Sequence, residues 1–361
     1  MQLGARIKRY ITTHERYIMP LALLLGFVVD NLTLTRVDQL FDNLILCFYV
    51  ILAAITLFIL YGLPQHTDRV PSKALGTLTY LAPYVFQYAI GGLFSGLFIF
   101  YFRSGTIGTS FPFLVILLVL MLGADYFYKR FPKASFQLVI FYIALLSYCN
   151  LVVPIVTKHL SLFSFLGATT LASALMYSFI MLLDRPKSLI RGENKKRLER
   201  RLMVTCAVFL FLYFTNTIPP LPLSMKTGVI AYNIERHTQD SYNITVEEPK
   251  WYTPFDKYSK KIHSRGPVYA FSSIFAPAEL ETDIYHRWSQ YVENDGWVEI
   301  SRIPIKIIGG REQGFRGYSL KNNVTPGTWR VDVITERGQV IGRIPFTITE
   351  DTNKNTEVQV Y

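Results

Sequence analysis

Apolar and aromatic residues run almost unbroken through the first 224 positions, interrupted by short basic or proline-bearing loops, and then give way to short alternating runs. A helix needs about twenty apolar residues to cross a bilayer. On that rule the pattern predicts about seven helical spans, near 17–34, 40–63, 76–102, 107–127, 134–157, 162–183 and 202–224. The first is weakened at its far end by Asp30 and Asn31, and the third carries Pro83, Gln87 and the small residues Gly91, Gly92, Ser95 and Gly96. Small residues let neighbouring helices approach closely.

Past Ser224 the period changes. Residues 225–264 read as a linker with possible short strands around Thr227 and Tyr242. From Pro267 onward, seven short runs separated by Gly, Pro, Asn and Asp follow: 268–275, 284–290, 297–301, 303–308, 317–321, 328–335 and 339–348. That spacing predicts an all-β antiparallel sandwich, immunoglobulin-like, over residues 265–350, with 351–361 as a flexible tail. Trp329, Val331 and Val333 alternate with Arg330 and Asp332, as a half-buried strand requires. Phe271, Ile274, Trp288, Ile305, Ile307, Trp329, Val331, Val333, Ile344 and Phe346 form the expected core. Pro345 lacks a backbone N–H and so places the last strand at an edge.

Charge sharpens the division. Residues 225–361 hold 17 basic and 17 acidic side chains, so the net +11 of the chain comes entirely from residues 1–224. The N-terminus and the 64–75, 128–133 and 184–201 loops hold 17 Lys and Arg, against only Arg36, Arg103 and Lys158 in the alternate loops. Basic loops stay on the cytoplasmic side. The asymmetry therefore predicts a cytoplasmic N-terminus and an exported C-terminal part, and it argues against a nucleic-acid partner, which would need the excess on a soluble face. The three cysteines, Cys47, Cys149 and Cys206, all fall in proposed spans, so the exported part must fold without disulfides.

The C-terminal residues resemble a known family. The segments Ile274–Leu280, His286–Trp288, Ile305–Arg311, Gly314–Lys321, Gly327–Thr335 and Gly338–Phe346 look like the bacterial domain of unknown function 2914. The likeness covers about residues 268–349. It implies a C-terminal module of a bacterial membrane protein, and it brings no activity and no catalytic residue. With the loop charges, it points to a multi-pass inner-membrane protein whose β domain is periplasmic or extracellular.

No motif supports an enzyme, a metal site or a cofactor: there is no His-Glu-x-x-His, no Gly-x-Ser-x-Gly and no cysteine pair at metal spacing. The binding candidates are Arg287, Arg311, Arg316 and Arg330 with His286, Trp297 and Tyr318. Guanidinium forks beside aromatic faces suit an envelope glycan, a lipid headgroup or a membrane-protein partner with an acidic loop. The plain alternative is that the tryptophans are core and the arginines close turns. Within the spans, Asp30, Asp42 and Asp125 are the ionisable candidates, with Gln87 and Asn150 as polar neighbours; their places near span ends suit interfacial pairing better than a proton relay. Three function classes follow: a recognition module held on the lipid bilayer, a small-solute transporter or channel with a regulatory outer domain, and a membrane enzyme acting on lipid or glycan.

Overall fold

A computed structural model describes residues 27–34, 39–63, 73–104, 107–123, 134–184, 193–236, 241–247, 261–263, 266–276, 283–305, 315–349 and 356–360. The chain forms two compact units. The first comprises residues 1–102, 111–157 and 162–215; the second comprises 216–361 together with residues 103–110 and 158–161.

The described helices are α1 (Leu40–Tyr61), α2 (Lys73–Ser104), α3 (Ile107–Leu122), α4 (Ala134–Thr157), α5 (Leu162–Leu183) and α6 (Glu193–Phe214), preceded by helical residues 27–33. Among the described residues four are long and apolar enough to cross a membrane: Leu40–Tyr61, Thr77–Ser104, Ala134–Thr157 and Leu162–Leu183. Their outward faces fit that solvent. On α1, Phe41, Leu44, Phe48, Ile51 and Ile55 form an exposed stripe while Leu46, Ala53 and Leu57 are buried. A helix facing water would carry polar side chains on that stripe.

The seven expected spans are not all matched. The predicted 107–127 span is a 16-residue helix, α3. The predicted 202–224 span differs more, because α6 begins nine residues earlier in a charged segment and ends at Phe214. Its apolar part, Leu202–Phe214, is about 20 Å long at the α-helical rise, shorter than the ~30 Å hydrocarbon layer. Most of the expected 17–34 span lies outside the described residues.

Within the helical unit the small residues of α2 act as foreseen. A Cβ on Gly92 would strike the Tyr49 ring, and one on Gly96 would strike Leu46, so α1 and α2 touch along a Gly-x-x-x-Gly face. Polar side chains cross-link the remaining helices: Tyr61 donates to Gln137 at 2.7 Å, Tyr142 meets Ser173 at 2.7 Å, and Tyr101 donates to the Ser147 carbonyl at 2.9 Å.

The second unit contains eleven described strands: β1 (Ser224–Ala231), β2 (Asn233–Arg236), β3 (Tyr242–Glu247), β4 (Lys261–His263), β5 (Val268–Phe275), β6 (Ile284–Val292), β7 (Gly296–Ile305), β8 (Phe315–Lys321), β9 (Gly327–Thr335), β10 (Val340–Thr349) and β11 (Thr356–Val360). They form sheets of order β4-β10-β9-β6-β7, β1-β5-β8 and β11-β3-β2. Alternation along β1 and β5 explains how the sheets stack. Ile230, Val268 and Ala270 pack on Trp288, Trp329, Val331, Ile344 and Phe346 of the five-stranded sheet. Their neighbours Val229, Ala231 and Phe271 point to the opposite face and pack on Ile234, Ile244 and Val246 of the third sheet.

These three layers stand where a two-sheet, immunoglobulin-like sandwich was expected, and β4, from the stretch expected as a linker, runs parallel to β10. The stretch expected as a linker supplies β1 to β4. β1 reads poorly as a strand because Lys226, Thr227 and Gly228 dilute its apolar run, yet it pairs with β5 over seven positions. The tail expected to be flexible supplies β11, paired with β3. β10 is not an edge strand as a whole, although Pro345 lies before its pairing with β4 begins at Thr347, so its missing N–H breaks no ladder. Every expected core residue that is described is buried; Ile307 lies outside the described residues.

Candidate functional site

Register on the outer face of the five-stranded sheet sets one row across four strands: Arg343 on β10 opposite Asp332 on β9, Asp332 opposite Arg287 on β6, and Arg287 opposite Arg302 on β7. Asp332 is wholly buried. Its Oδ1 accepts from Arg343 Nε at 2.6 Å and its Oδ2 from Arg287 Nη2 at 2.8 Å, while Arg330 Nε lies 3.5 Å away. Burial works against the charged carboxylate, but the hydrogen bonds of Arg343 and Arg287 and the charges of Arg343 and Arg330 outweigh it and hold Asp332 below the usual carboxylate range. Arg330 is pushed below its ordinary value, first by burial and then by Arg343 and Arg287, with Asp332 opposing.

Aromatic rings brace two guanidiniums on this face. In the neighbouring row the Arg330 guanidinium lies 4.2 Å from the Trp297 ring centre, and Trp297 meets Tyr291 edge to face at 5.5 Å. At the β7 end of the first row Arg302 stacks on Tyr285 at 4.4 Å and donates to the Glu336 carbonyl at 2.6 Å. Stacking pre-orients a guanidinium whose free rotation would otherwise have to be frozen on binding.

The structure therefore gathers two of the expected arginines, Arg287 and Arg330, beside Trp297. Arg316 and Tyr318 lie on β8 in another sheet, where Tyr318 packs against Tyr242 and Tyr269. Arg311 lies outside the described residues. Arg343, Arg302 and Asp332 were not foreseen as members. The signal for Asp332 was present in the sequence, because a lone carboxylate alternating with valines on a strand requires a cationic partner if the sheet covers it.

His286 belongs to the interior. Its Nε2 is 2.8 Å from Ser272 Oγ and its Nδ1 2.8 Å from Ser319 Oγ, which also accepts from Trp288 Nε1 at 3.0 Å. Burial pushes the imidazole down to about 3, so it is neutral at physiological pH. Trp288 and Trp329 are likewise core, whereas Trp297 is 39% exposed. The plain expectation thus holds for two tryptophans and fails for the third.

A second polar cluster was missed entirely. Glu247 accepts from Tyr232 at 2.6 Å and pairs with His263 Nε2 at 3.1 Å, and His263 Nδ1 lies 2.8 Å from Thr349 Oγ1. It ties β3, β4 and β10 together. Among the described residues there is no group of metal-ligating side chains.

In the helical unit, Asp30 accepts from Ser95 of α2 at 2.6 Å. That contact lies between helices, whereas interfacial pairing was expected for it. Asp42 is buried in the first turn of α1, Gln87 is half-buried on α2, and Asn150 donates to the Leu146 carbonyl at 2.9 Å. Asp125 lies outside the described residues.

Residues 281–348 match the model of a family described as a protein of unknown function, DUF2914. The match spans β6 to β10 and therefore includes Arg287, Arg302, Arg330, Asp332 and Arg343. None of the curated proteins matches the chain. One solved structure, the Pseudomonas fluorescens alkylpurine DNA glycosylase AlkC bound to DNA containing an abasic site analog, shares 9% identity over 87% of this chain and 100% of its own, with a TM-score of 0.21. A likeness at that level supports neither fold nor function.

Proposed function

We propose that this is a multi-pass protein of the bacterial inner membrane that holds its β unit on the outer face and uses it, without catalysis, to recognise an acidic envelope component. The observation that carries the reading is the arginine row on the five-stranded sheet, where three guanidiniums converge on one carboxylate beside an exposed tryptophan.

Topology is supported by loop charge: basic residues crowd the 184–201 loop, whereas the alternate loops hold only Arg36, Arg103 and Lys158. If α5 leads away from that side, α6 must return to it before β1 begins. Its short apolar part is flanked at the inner end by Arg197, Arg200 and Arg201, and long basic side chains of this kind suit the headgroup layer at the end of a short span.

An alkaline-phosphatase fusion at Tyr361 tests the orientation. Activity in intact cells is expected; a silent phosphatase fusion together with an active cytoplasmic reporter at the same site would reverse the topology.

A further inference from the structure

We propose that the Arg287–Arg330–Arg343 cluster is a binding site for a phosphate monoester. This deepens the recognition reading above and rests on it.

Hydrogen-bond donors outnumber acceptors around Asp332. A carboxylate has about four lone-pair sites, and a guanidinium carries five N–H donors. Asp332 already receives Arg343 Nε, Arg343 Nη2 and Arg287 Nη2, with Arg330 alongside. The carboxylate is nearly filled, while most of the donors on three guanidiniums remain. Nε of Arg287 and Nε of Arg330 are covered and lack an acceptor in the fold, and the side chains of Arg287, Arg330 and Arg343 stay 24%, 18% and 31% exposed, so their outer N–H groups are the ones open to a ligand.

Charge points the same way. Three cations against one anion, with Arg302 and Glu299 in the same rows adding one charge of each sign, leave a net of two positive charges on adjoining strands. One arginine would suffice to neutralise Asp332, so the other two add repulsion that a structural role does not require. A phosphate monoester carries about −1.5 to −2 charges near pH 7 and presents three acceptor oxygens, matching both the charge and the donor excess. A single carboxylate would leave one charge uncompensated. Asp332 fixes the spacing of the forks, and Trp297 holds Arg330 in place from the side.

The same phosphate chemistry is found on a lipid headgroup, on a phosphorylated saccharide and in free phosphate. The test uses the full chain in nanodiscs of neutral phosphatidylcholine, at constant ionic strength, with melting followed by tryptophan fluorescence. All four tryptophans lie beyond residue 225, so the signal reports the β part alone. Inorganic phosphate at about ten times its Kd is expected to raise the melting temperature by about 3–5 °C relative to chloride. Arg330→Gln, which leaves Asp332 bonded to Arg287 and Arg343, should abolish the shift, and Arg330→Lys should keep part of it. A protein that melts normally without phosphate but shows no shift in wild type overturns the phosphate site.

A parallel arm with polygalacturonate, a carboxylate glycan, separates that failure from failure of the recognition reading. Arg330-dependent binding of polygalacturonate without a phosphate shift would overturn phosphate specificity and leave recognition standing, whereas no response to either would overturn both. Where free phosphate does bind, nanodiscs containing phosphatidic acid identify the source. A further shift there, lost in Arg330→Gln, supports a lipid headgroup, and its absence supports a soluble phosphoester; both support the site.

Discussion

The helical unit and the β unit satisfy their polar groups by different means. Among the described helical residues, several Thr and Ser hydroxyls bond to a carbonyl one turn back, Thr56 to Leu52, Ser147 to Ile143, Thr157 to Val153 and Thr205 to Arg201, while Tyr61, Tyr101 and Tyr142 reach other helices. The one-turn bonds are local and leave large apolar side chains free to face outward. In the β unit the polar contacts join residues distant in sequence, as when Arg287 reaches Asp332, 45 positions away, or His286 reaches Ser319, 33 away. A helix can thus be changed one turn at a time, whereas the β unit depends on register and should fail cooperatively.

Removing β1 to β4 together with β11 gives the largest effect. β5 is the central strand of its sheet, between β1 and β8. Residues 265–350 alone should therefore lack a cooperative melting transition, while residues 216–361 should show one. A cooperative melt of the shorter fragment would mean that the sheet formed by β1, β5 and β8 is not needed by the five-stranded one.

Asp332→Ala comes next. It strands three guanidiniums on a partly buried face, and removing one partner of such a cluster costs about 3–5 kcal/mol. Tryptophan fluorescence should report the loss while the helical circular-dichroism signal persists. Loss of both signals together would show that the two units do not fail separately.

Titration of His286 should have the smallest effect. Its folded form stays neutral to about 3, while an unfolded histidine takes up its proton near 6.5. The unfolded state therefore binds more protons between these values, so the stability of the β unit is complete above pH 6.5 and falls as pH drops toward 3. The fall from pH 6.5 to 5 should be about 2 kcal/mol by linkage. Asp332 adds a further loss only below its ordinary value, in strongly acid solution. Denaturant midpoints measured from pH 7 to 5 check this, and a flat profile would place His286 in contact with water.

Legibility in the sequence followed the same division. Helices α4 and α5 match the predicted 134–157 and 162–183 spans at both ends, because hydropathy is a local signal. α6 was misplaced because its first two turns are basic: a polar helix before an apolar one looks like a loop before a span. Trp288 and Trp329 were legible as core from alternation alone. The arginine row was only half legible. Which arginines share a face depends on pairing register, and the bulge between Trp288 and Ser289 shifts β7 so that Arg302, not its neighbour, stands opposite Arg287. Arg343 was hidden for the same reason, since nothing near it in sequence marks Asp332 as its partner.

The central claim, an arginine-rich face presented outside the membrane, is tested most directly by one labelling experiment. Glu299 is exposed on β7, in the row that also holds Ser289 and Arg330. With Cys47, Cys149 and Cys206 replaced by Ala, Glu299→Cys is offered a membrane-impermeant maleimide on intact spheroplasts. Full labelling without lysis is expected. Labelling that appears only after the membrane is broken would contradict it.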